Sequence, residues 1–249
     1  LADGAFDFLA DGEILNLSYT ATVDDGHGGA VTKPITVTVT GTNDTPEVSA
    51  DVSGAGGTGS HVIAERPDAT ADSIDADTAT GSLVFRDVDL SDTHRFDNSA
   101  PVFGWLDSNG DALSLTLVQQ GVLTAASSLT LTPHDSTGTG LGSVDFSYSA
   151  ADSSFDFLAA GETLTITYEI TVTDEHDEAS NQPVTITITG SNDTPVAVAD
   201  TDFGHIVEAG SAINGNRMAS AATTTGDAPA NDSDAHLTDT HTVSGVVAR

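Results

Sequence analysis

The chain has 249 residues, of which 38 are acidic and 6 are basic, and its formal net charge is −32. This charge disfavours nucleic acid and anionic membrane surfaces as partners, because both would repel the chain. Cysteine is absent, so disulfides cannot stabilise the fold, and no stretch is apolar and long enough to cross a bilayer. The carboxylates therefore serve solubility in salt, cation binding, or both, and oxygen ligands of this kind suit Ca²⁺.

Strand patterns follow one another along the chain. Alternating apolar and polar residues predict strands over 15–23 and 35–40, joined by the hairpin loop DDGHGG. Further strands are predicted from Ser114 onward and over 128–133. The preceding LDSNGDAL is interpreted as a hairpin turn rather than an EF-hand loop, because its glycine and distal glutamate are out of register. Strict alternation over 164–173 and 184–189, around the loop DEHDEAS, predicts two more strands. With no long helical period, the pattern is typical of an all-β sandwich.

An internal repeat sets the organisation. The residues from Phe6 to Pro46 recur without a gap from Phe155 to Pro195, 149 positions later. A shorter echo relates DVDLSDTH at 87–94 to DAHLTDTH at 234–241. We predict tandem immunoglobulin- or cadherin-like β-sandwich domains: 1–46 as the C-terminal part of one repeat, 47–195 as a complete repeat, and 196–249 as the N-terminal part of the next. The two partial ends predict a fragment of a longer array.

The repeat places acidic and amide residues where two sandwiches would meet. Calcium takes about 6–8 oxygen ligands, which a junction collects from the lower loops of one domain, the linker and the upper loops of the next. The predicted ligands are Asp7, Glu13, Asn43, Asp44, Asp87 and Asp89 at the first junction, and Glu65, Asp156, Glu162, Asn192, Asp193 and Asp234 at the second. Glu208 matches Glu65 early in its unit. His236 replaces the second Asp of the Asp-x-Asp pair, which predicts weaker calcium binding at the second junction.

Other interpretations compete for these polar residues. Asn-Asp-Thr-Pro forms a good turn without any metal, because Asn and Asp side chains bond their own backbone. The acids Glu175, Asp177 and Glu178 are interpreted as solvated hairpin residues. The pairs His27/His176 and His94/His241 suggest zinc, but the members of each pair fall in different units, so packing or capping roles are predicted.

Two segments carry a resemblance to a known family. FDFLAAGETLTITYEITVTDEHDEA and the exit TGSNDTP, each present in two versions, resemble the VCBS repeats of large bacterial surface adhesins of the RTX type. The resemblance implies extracellular, cadherin-like sandwiches at the bacterial cell surface, with Ca²⁺ at their junctions and a role in cell adhesion or biofilm formation. Its implied partners are neighbouring repeats of the same chain and like chains in a filament or matrix.

The sequence predicts that the chain is not an enzyme. Cysteine is absent, and no serine lies in a G-x-S-x-G elbow. The competing interpretation is a carbohydrate- or ligand-binding module, in which Trp105, the only tryptophan, Tyr148 or nearby loops would form a stacking platform for a sugar.

Overall fold

Strands dominate the computed structural model, which describes residues 3–54, 59–67, 75–197, 233–239 and 242. The strands are β1 Ile14–Asp24, β2 Ala30–Thr40, β3 Glu47–Val48, β4 His61–Ala64, β5 Ala76–Arg86, β6 Arg95–Asn98, β7 Val102–Leu106, β8 Ala112–Leu113, β9 Ser128–His134, β10 Leu141–Ala151, β11 Thr163–Thr173 and β12 Ala179–Thr189. The helical elements of the described chain are α1 Leu117–Ala126 and two 3₁₀ turns, Asp3–Ala5 and Asp152–Ser154.

Two sheets form a β-sandwich from the strands β3 to β12. One sheet has the order β3-β5-β10-β9, and the other has the order β4-β12-β11-β7-β8, with β6 also pairing with β11. Pairing is antiparallel except between β4 and β12. The predicted all-β sandwich is confirmed as one domain, whereas its tandem repetition and the boundaries of the flanking repeats stay predictions.

The core lies between the two sheets because alternate side chains of the central strands point inward. In β11 the inward residues include Leu164, Ile166 and Val172, and all three are fully buried. Opposite them, β10 contributes Phe146 and Tyr148. The period-2 pattern seen in the sequence therefore marks the residues that leave water on folding.

The repeated hairpin occurs in two different environments. The strands β1 and β2 pair in the same register as β11 and β12, but they form a separate two-stranded sheet. Tyr19 and Val23 are 48% and 70% exposed, whereas their counterparts Tyr168 and Val172 are 2% and 0% exposed. The local sequence is thus enough to predict the hairpin, while burial depends on what packs against it.

One predicted strand is wrong. The segment from Ser114 onward leads into the helix α1 rather than a strand. Thr116 caps this helix: its Oγ1 accepts a hydrogen bond from the Gln119 backbone at 3.2 Å, and Gln119 Oε1 accepts one from the Thr116 backbone at 2.8 Å. This reciprocal capping box satisfies two backbone donors at the helix start. It stabilises a helix here, although the few alternating apolar and polar residues from Ser114 onward favour a strand.

The neighbouring predictions hold. LDSNGDAL forms the turn between β7 and β8, where Asp107 Oδ1 accepts hydrogen bonds from the backbones of Asn109 and Asp111, both at 2.8 Å. The strand predicted over 128–133 is β9.

Within the described residues, no helix has the length and apolar character needed to span a membrane. Glu208 and His241 lie outside the described residues.

Candidate metal centre

A glycine-containing turn precedes each repeated hairpin and lies next to the predicted junction. Gly12 and Gly161 have φ values of 73° and 86°, in the left-handed region that glycine adopts without strain. In the same turns, Glu13 Oε2 accepts from the Ala10 backbone at 3.1 Å, and Glu162 Oε2 accepts from the Ala159 backbone at 3.3 Å. These two glutamates brace the turns that precede β1 and β11.

Glu162 has further partners. Its Oε2 accepts from Trp105 Nε1 at 3.0 Å, and its Oε1 accepts from Thr238 Oγ1 at 2.7 Å. Both oxygens of this buried carboxylate are therefore used within the protein. The geometry supports a bracing role for Glu13 and Glu162, and their prediction as metal ligands stays a prediction.

At the first junction, the linker docks onto the loop after β5. The Asp44 backbone donates to Asp89 Oδ2 at 2.7 Å, and the Asp89 backbone donates to Asp87 Oδ1 at 2.9 Å. The Leu90 backbone donates to the Phe8 carbonyl at 3.3 Å. These contacts bring the predicted residues Asp44, Asp87 and Asp89 together.

Buried carboxylates gather beside this contact. Oxygens of Asp87, Asp92 and Asp174 lie within 4.8 Å of one another, and all three residues are buried. Asn43 Nδ2 donates to Asp174 Oδ2 at 3.0 Å. Neither oxygen of Asp92, which is 0% exposed, accepts a hydrogen bond from the described residues. We call Asn43, Asp44, Asp87, Asp89, Asp92 and Asp174 the first junction cluster.

The loop after β11 fixes Asp174 in this cluster. Asp174 Oδ1 accepts from the backbones of His176 and Glu178 at 2.8 and 2.9 Å, which leaves Oδ2 directed at the linker. Asp25 makes the matching bonds to His27 and Gly29 in the loop between β1 and β2. In both copies of the hairpin, the loop between the two strands therefore fixes the orientation of one aspartate side chain through backbone hydrogen bonds.

The buried carboxylates of the cluster repel one another. Burial raises the pKa of Asp89 to about 6, and repulsion from Asp92, Asp87 and Asp44 adds to the shift. Burial also raises the pKa of Asp92 and of Asp44. Buried carboxylates without compensation are costly, whereas several such oxygens converging from separate segments suit a hard divalent ion. The donor set fits Ca²⁺.

His94 supports the cluster from the protein side. Its Nε2 lies 2.9 Å from Asp87 Oδ2, its Nδ1 lies 2.7 Å from Asp135 Oδ1, and its ring packs edge-on against Phe85. Burial alone would oppose a charged imidazole, but these two carboxylates raise the pKa of His94 overall. The predicted packing and capping role is confirmed for His94. His27 is exposed, and His176 Nδ1 lies 3.6 Å from Asp92 Oδ2.

The second junction repeats the geometry of the first. The His236 backbone donates to Asp234 Oδ1 at 3.0 Å, and the Leu237 backbone contacts the Phe157 carbonyl at 3.4 Å. The Asp193 backbone lies 3.1 Å from His236 Nε2, in the place where Asp44 meets Asp89. An imidazole thus replaces a carboxylate within an otherwise matching joint.

A second group of carboxylates lies on the lower side of this joint. Oxygens of Glu65, Asp156 and Asp193 approach within 4.8 Å of one another. Glu65 Oε2 accepts from the Ser191 backbone at 2.7 Å, and burial raises the pKa of Glu65. Glu65 therefore lies beside the linker at Ser191, and its role as a metal ligand at the second junction stays a prediction.

Asp77 is a further buried carboxylate at the same end of the sandwich. Burial raises its pKa to about 6, and repulsion from Asp152 contributes to the shift. Protonation of Asp77 is therefore sensitive to pH close to neutrality.

Several of the predicted ligands, among them the bracing residues Glu13 and Glu162, lie apart from these groups. Asp7 is exposed, although it lines a surface recess with Asp44 and helps to raise the pKa of Asp44. Asn192 is exposed, and its Nδ2 donates to the Asp193 carbonyl at 2.9 Å. Glu13 braces its turn, as described above.

The structure adds ligand candidates that sequence reasoning missed. Asp92 and Asp239 occupy matching places in the DVDLSDTH and DAHLTDTH echo, and Asp174 matches Asp25 in the long repeat. That recurrence was a usable signal. The loop acid Glu175, interpreted as solvated, has a carboxylate oxygen within 4.8 Å of ligand atoms of Asp92 and His176.

Trp105 and Tyr148 do not form the stacking platform of the alternative interpretation, and a platform made by nearby loops stays a prediction. Trp105 and Tyr148 are both buried in the core, where Trp105 packs edge-on against Phe157. Neither ring is available for stacking against a sugar.

Comparisons with known proteins give distant similarity only. No protein-family model matches the chain, and no curated protein matches it significantly. Among solved structures, it is similar to the cadherin-like domains 1 to 4 of zebrafish RET, with a TM-score of 0.29, 10% identity, and coverage of 72% of this chain and 34% of that one. It is also similar to CfaE, the adhesive subunit of CFA/I fimbria of enterotoxigenic Escherichia coli, with a TM-score of 0.30, 14% identity, and coverage of 74% and 59%. The CooA pilin subunit of the same kind of bacterium gives a TM-score of 0.28, 15% identity, and coverage of 59% and 98%. Similarities at these TM-scores carry no argument about activity.

Proposed function

We propose that the chain is part of the extender of a large secreted bacterial adhesin, in which Ca²⁺ stiffens the junctions between β-sandwich repeats. Its place is extracellular, at the bacterial cell surface, where it supports cell adhesion or biofilm formation without catalysing a reaction. The resemblance of its repeats to VCBS repeats of RTX-type adhesins supports the setting. Its partners are neighbouring repeats and like chains in a filament or matrix.

The first junction cluster is the observation that carries the proposal. Three separate segments supply it: the linker with Asn43 and Asp44, the loop after β5 with Asp87 to Asp92, and the loop after β11 with Asp174. A cation held by all three ties the linker to the upper end of the sandwich. Asp92 is the strongest single ligand candidate, because its buried carboxylate receives no hydrogen bond from the described residues.

Charge explains how the ion would control stiffness. Without a cation, the buried carboxylates repel one another, and the linker contact through Asp44 and Asp89 is weakened. With Ca²⁺, the shared oxygens stabilise one orientation of the linker, and binding to the folded state alone also raises stability. The array then behaves as a rod that transmits tension to a distant binding domain.

Substitution of Asp92 tests the proposal. We expect Ca²⁺ to raise the melting temperature of the 249-residue chain and to increase its maximum dimension in small-angle scattering. Asp92→Asn should weaken calcium binding on the order of tenfold or more in a calorimetric titration. In chelator, the same variant should be more stable than the unsubstituted chain, because it removes a buried charge.

Asp97→Asn provides the matched control, since it makes the same charge change at an exposed position of β6. It should leave calcium affinity unchanged. Equal calcium affinity in both variants, or a maximum dimension that does not respond to chelator, would contradict the proposal.

A further inference from the structure

His236 changes the ligand chemistry of the second junction, because it places imidazole nitrogens where the first junction has a carboxylate. Its side chain is fully buried, and it occupies the place that Asp89 holds at the first junction. A hard ion such as Ca²⁺ takes oxygen ligands, whereas imidazole nitrogen suits borderline transition metals. The matching joints therefore offer different donor atoms.

The Nδ1 atom of His236 faces two carboxylates without bonding to either. It lies 2.9 Å from Asp234 Oδ1 and 3.1 Å from Asp239 Oδ2. Neither contact has the alignment of a hydrogen bond within the described residues. A buried nitrogen left in this state costs free energy, but a cation placed among the three atoms would use it. The separations are close to the roughly 3 Å expected between two ligands of one small ion with bonds of about 2 Å.

The other ring nitrogen is placed to support such a ligand. His236 Nε2 lies 3.1 Å from the Ser191 carbonyl, which can accept its proton, and 3.1 Å from the Asp193 backbone N–H, which can donate to it in the other tautomer. A metal ion on Nδ1 would select the tautomer in which Nε2 donates to Ser191. Metal-binding histidines commonly donate their second ring N–H to a carbonyl or carboxylate, which fixes the tautomer and the ring orientation.

We propose that Asp234, His236 and Asp239 bind a divalent transition metal, with Zn²⁺ as the ion that best suits the donors. The first junction cluster, which is built of oxygens, takes Ca²⁺ instead. The role of the site as a joint rests on the proposed function, but its metal selectivity is an independent property. The two joints would then respond to two different ions.

The test is a Zn²⁺ titration of the 249-residue chain in saturating Ca²⁺, followed by calorimetry. We expect tight binding of Zn²⁺ to the unsubstituted chain. His236→Asp, which restores the residue type found at Asp89, should weaken Zn²⁺ binding on the order of 100-fold. His134→Asn and His176→Asn are the controls, and both should retain the high-affinity event.

A spectroscopic measurement keeps the proposal testable if a variant folds poorly. In ¹H–¹⁵N spectra of the imidazole rings, Zn²⁺ should shift the Nδ1 resonance of His236, with Nε2 remaining protonated. An unchanged Nδ1 resonance, or equal Zn²⁺ affinity in the well-folded His236→Asp variant, would overturn the proposal. Loss of binding in His176→Asn would overturn it too, by placing the ion at Asp92, Glu175 and His176. Failure of the proposed function has a different signature, because it would abolish the calcium response and leave the zinc result intact.

Discussion

Glu13 and Glu162 hold matching positions in the repeat, yet their surroundings give them unequal importance. Each accepts a hydrogen bond from the backbone three residues earlier. Glu162 additionally receives the Trp105 indole and the Thr238 hydroxyl. Among the described residues, the glutamate side chain thus bonds only within its own turn in the first copy of the repeat, whereas in the second copy it is buried and also joins the turn to Trp105 and Thr238.

Glu162→Ala should lower the free energy of unfolding of the sandwich by about 2 kcal/mol, because it leaves the buried Trp105 N–H without its hydrogen-bond acceptor. Trp105 fluorescence in a urea titration reports the change directly, since this is the only tryptophan. Glu13→Ala removes the equivalent carboxylate and should leave that transition unchanged. Similar losses in both variants would contradict the assignment, as would loss of calcium binding in Glu162→Ala without loss of stability.

The hairpin is the element on which the two repeats can be compared most closely. Its strands, register and capped loop are the same in β1–β2 and β11–β12, because they arise from local alternation and from Asp25 or Asp174. Its contribution to stability differs, since within the described residues only β11–β12 packs against a second sheet. The energetic role of an element is therefore set by its neighbours.

Valine substitutions at matching positions measure this difference. Val172→Ala should destabilise the sandwich by about 2 kcal/mol, because it opens a cavity in a core that is closed to solvent. Val23→Ala makes the same change at a position 70% exposed and should alter stability little. Thermal unfolding of the two variants side by side gives the comparison. A large effect of Val23→Ala would show instead that its face is covered in solution.

On the scale of the whole molecule, the distribution of acidic residues links stability to pH. Burial raises the pKa of Asp89 and of Asp77 to about 6. These two residues lie in the junction regions at opposite ends of the sandwich. The folded protein therefore binds protons at these sites more tightly than the unfolded chain, whose aspartates titrate near 3.8. Stability from this source is fully present below the unfolded value and is lost as the pH rises through about 6.

In chelator, lowering the pH from 7 to 5 should therefore raise the free energy of unfolding, by on the order of 1 kcal/mol or more. The raised pKa of His94 acts in the same direction. In saturating Ca²⁺ the gain should shrink or reverse, because protons then compete with the ion for Asp89 and its neighbours. Urea titrations at the two pH values, with and without Ca²⁺, measure both effects. A stability in chelator that falls between pH 7 and pH 5 would contradict this account.

The fold could be predicted from the sequence because strand alternation is a local pattern and the repeat is periodic. The alternation in β11 and β12 predicts buried faces, and the 149-residue repeat predicts that β1–β2 forms the same hairpin. It failed at α1, where a short alternation concealed the capping box of Thr116 and Gln119.

By itself, the sequence determined the strands, the repeated hairpin and the concentration of acidic residues near the linkers. Only the tertiary structure decided which acids converge: it brought Asp92 and Asp174 to Asn43, assigned Glu162 to Trp105, and buried Trp105 itself. The reason is physical. A strand pattern depends on neighbours along the chain, whereas a metal site depends on distances of a few ångströms between loops that only the packed sheets bring together.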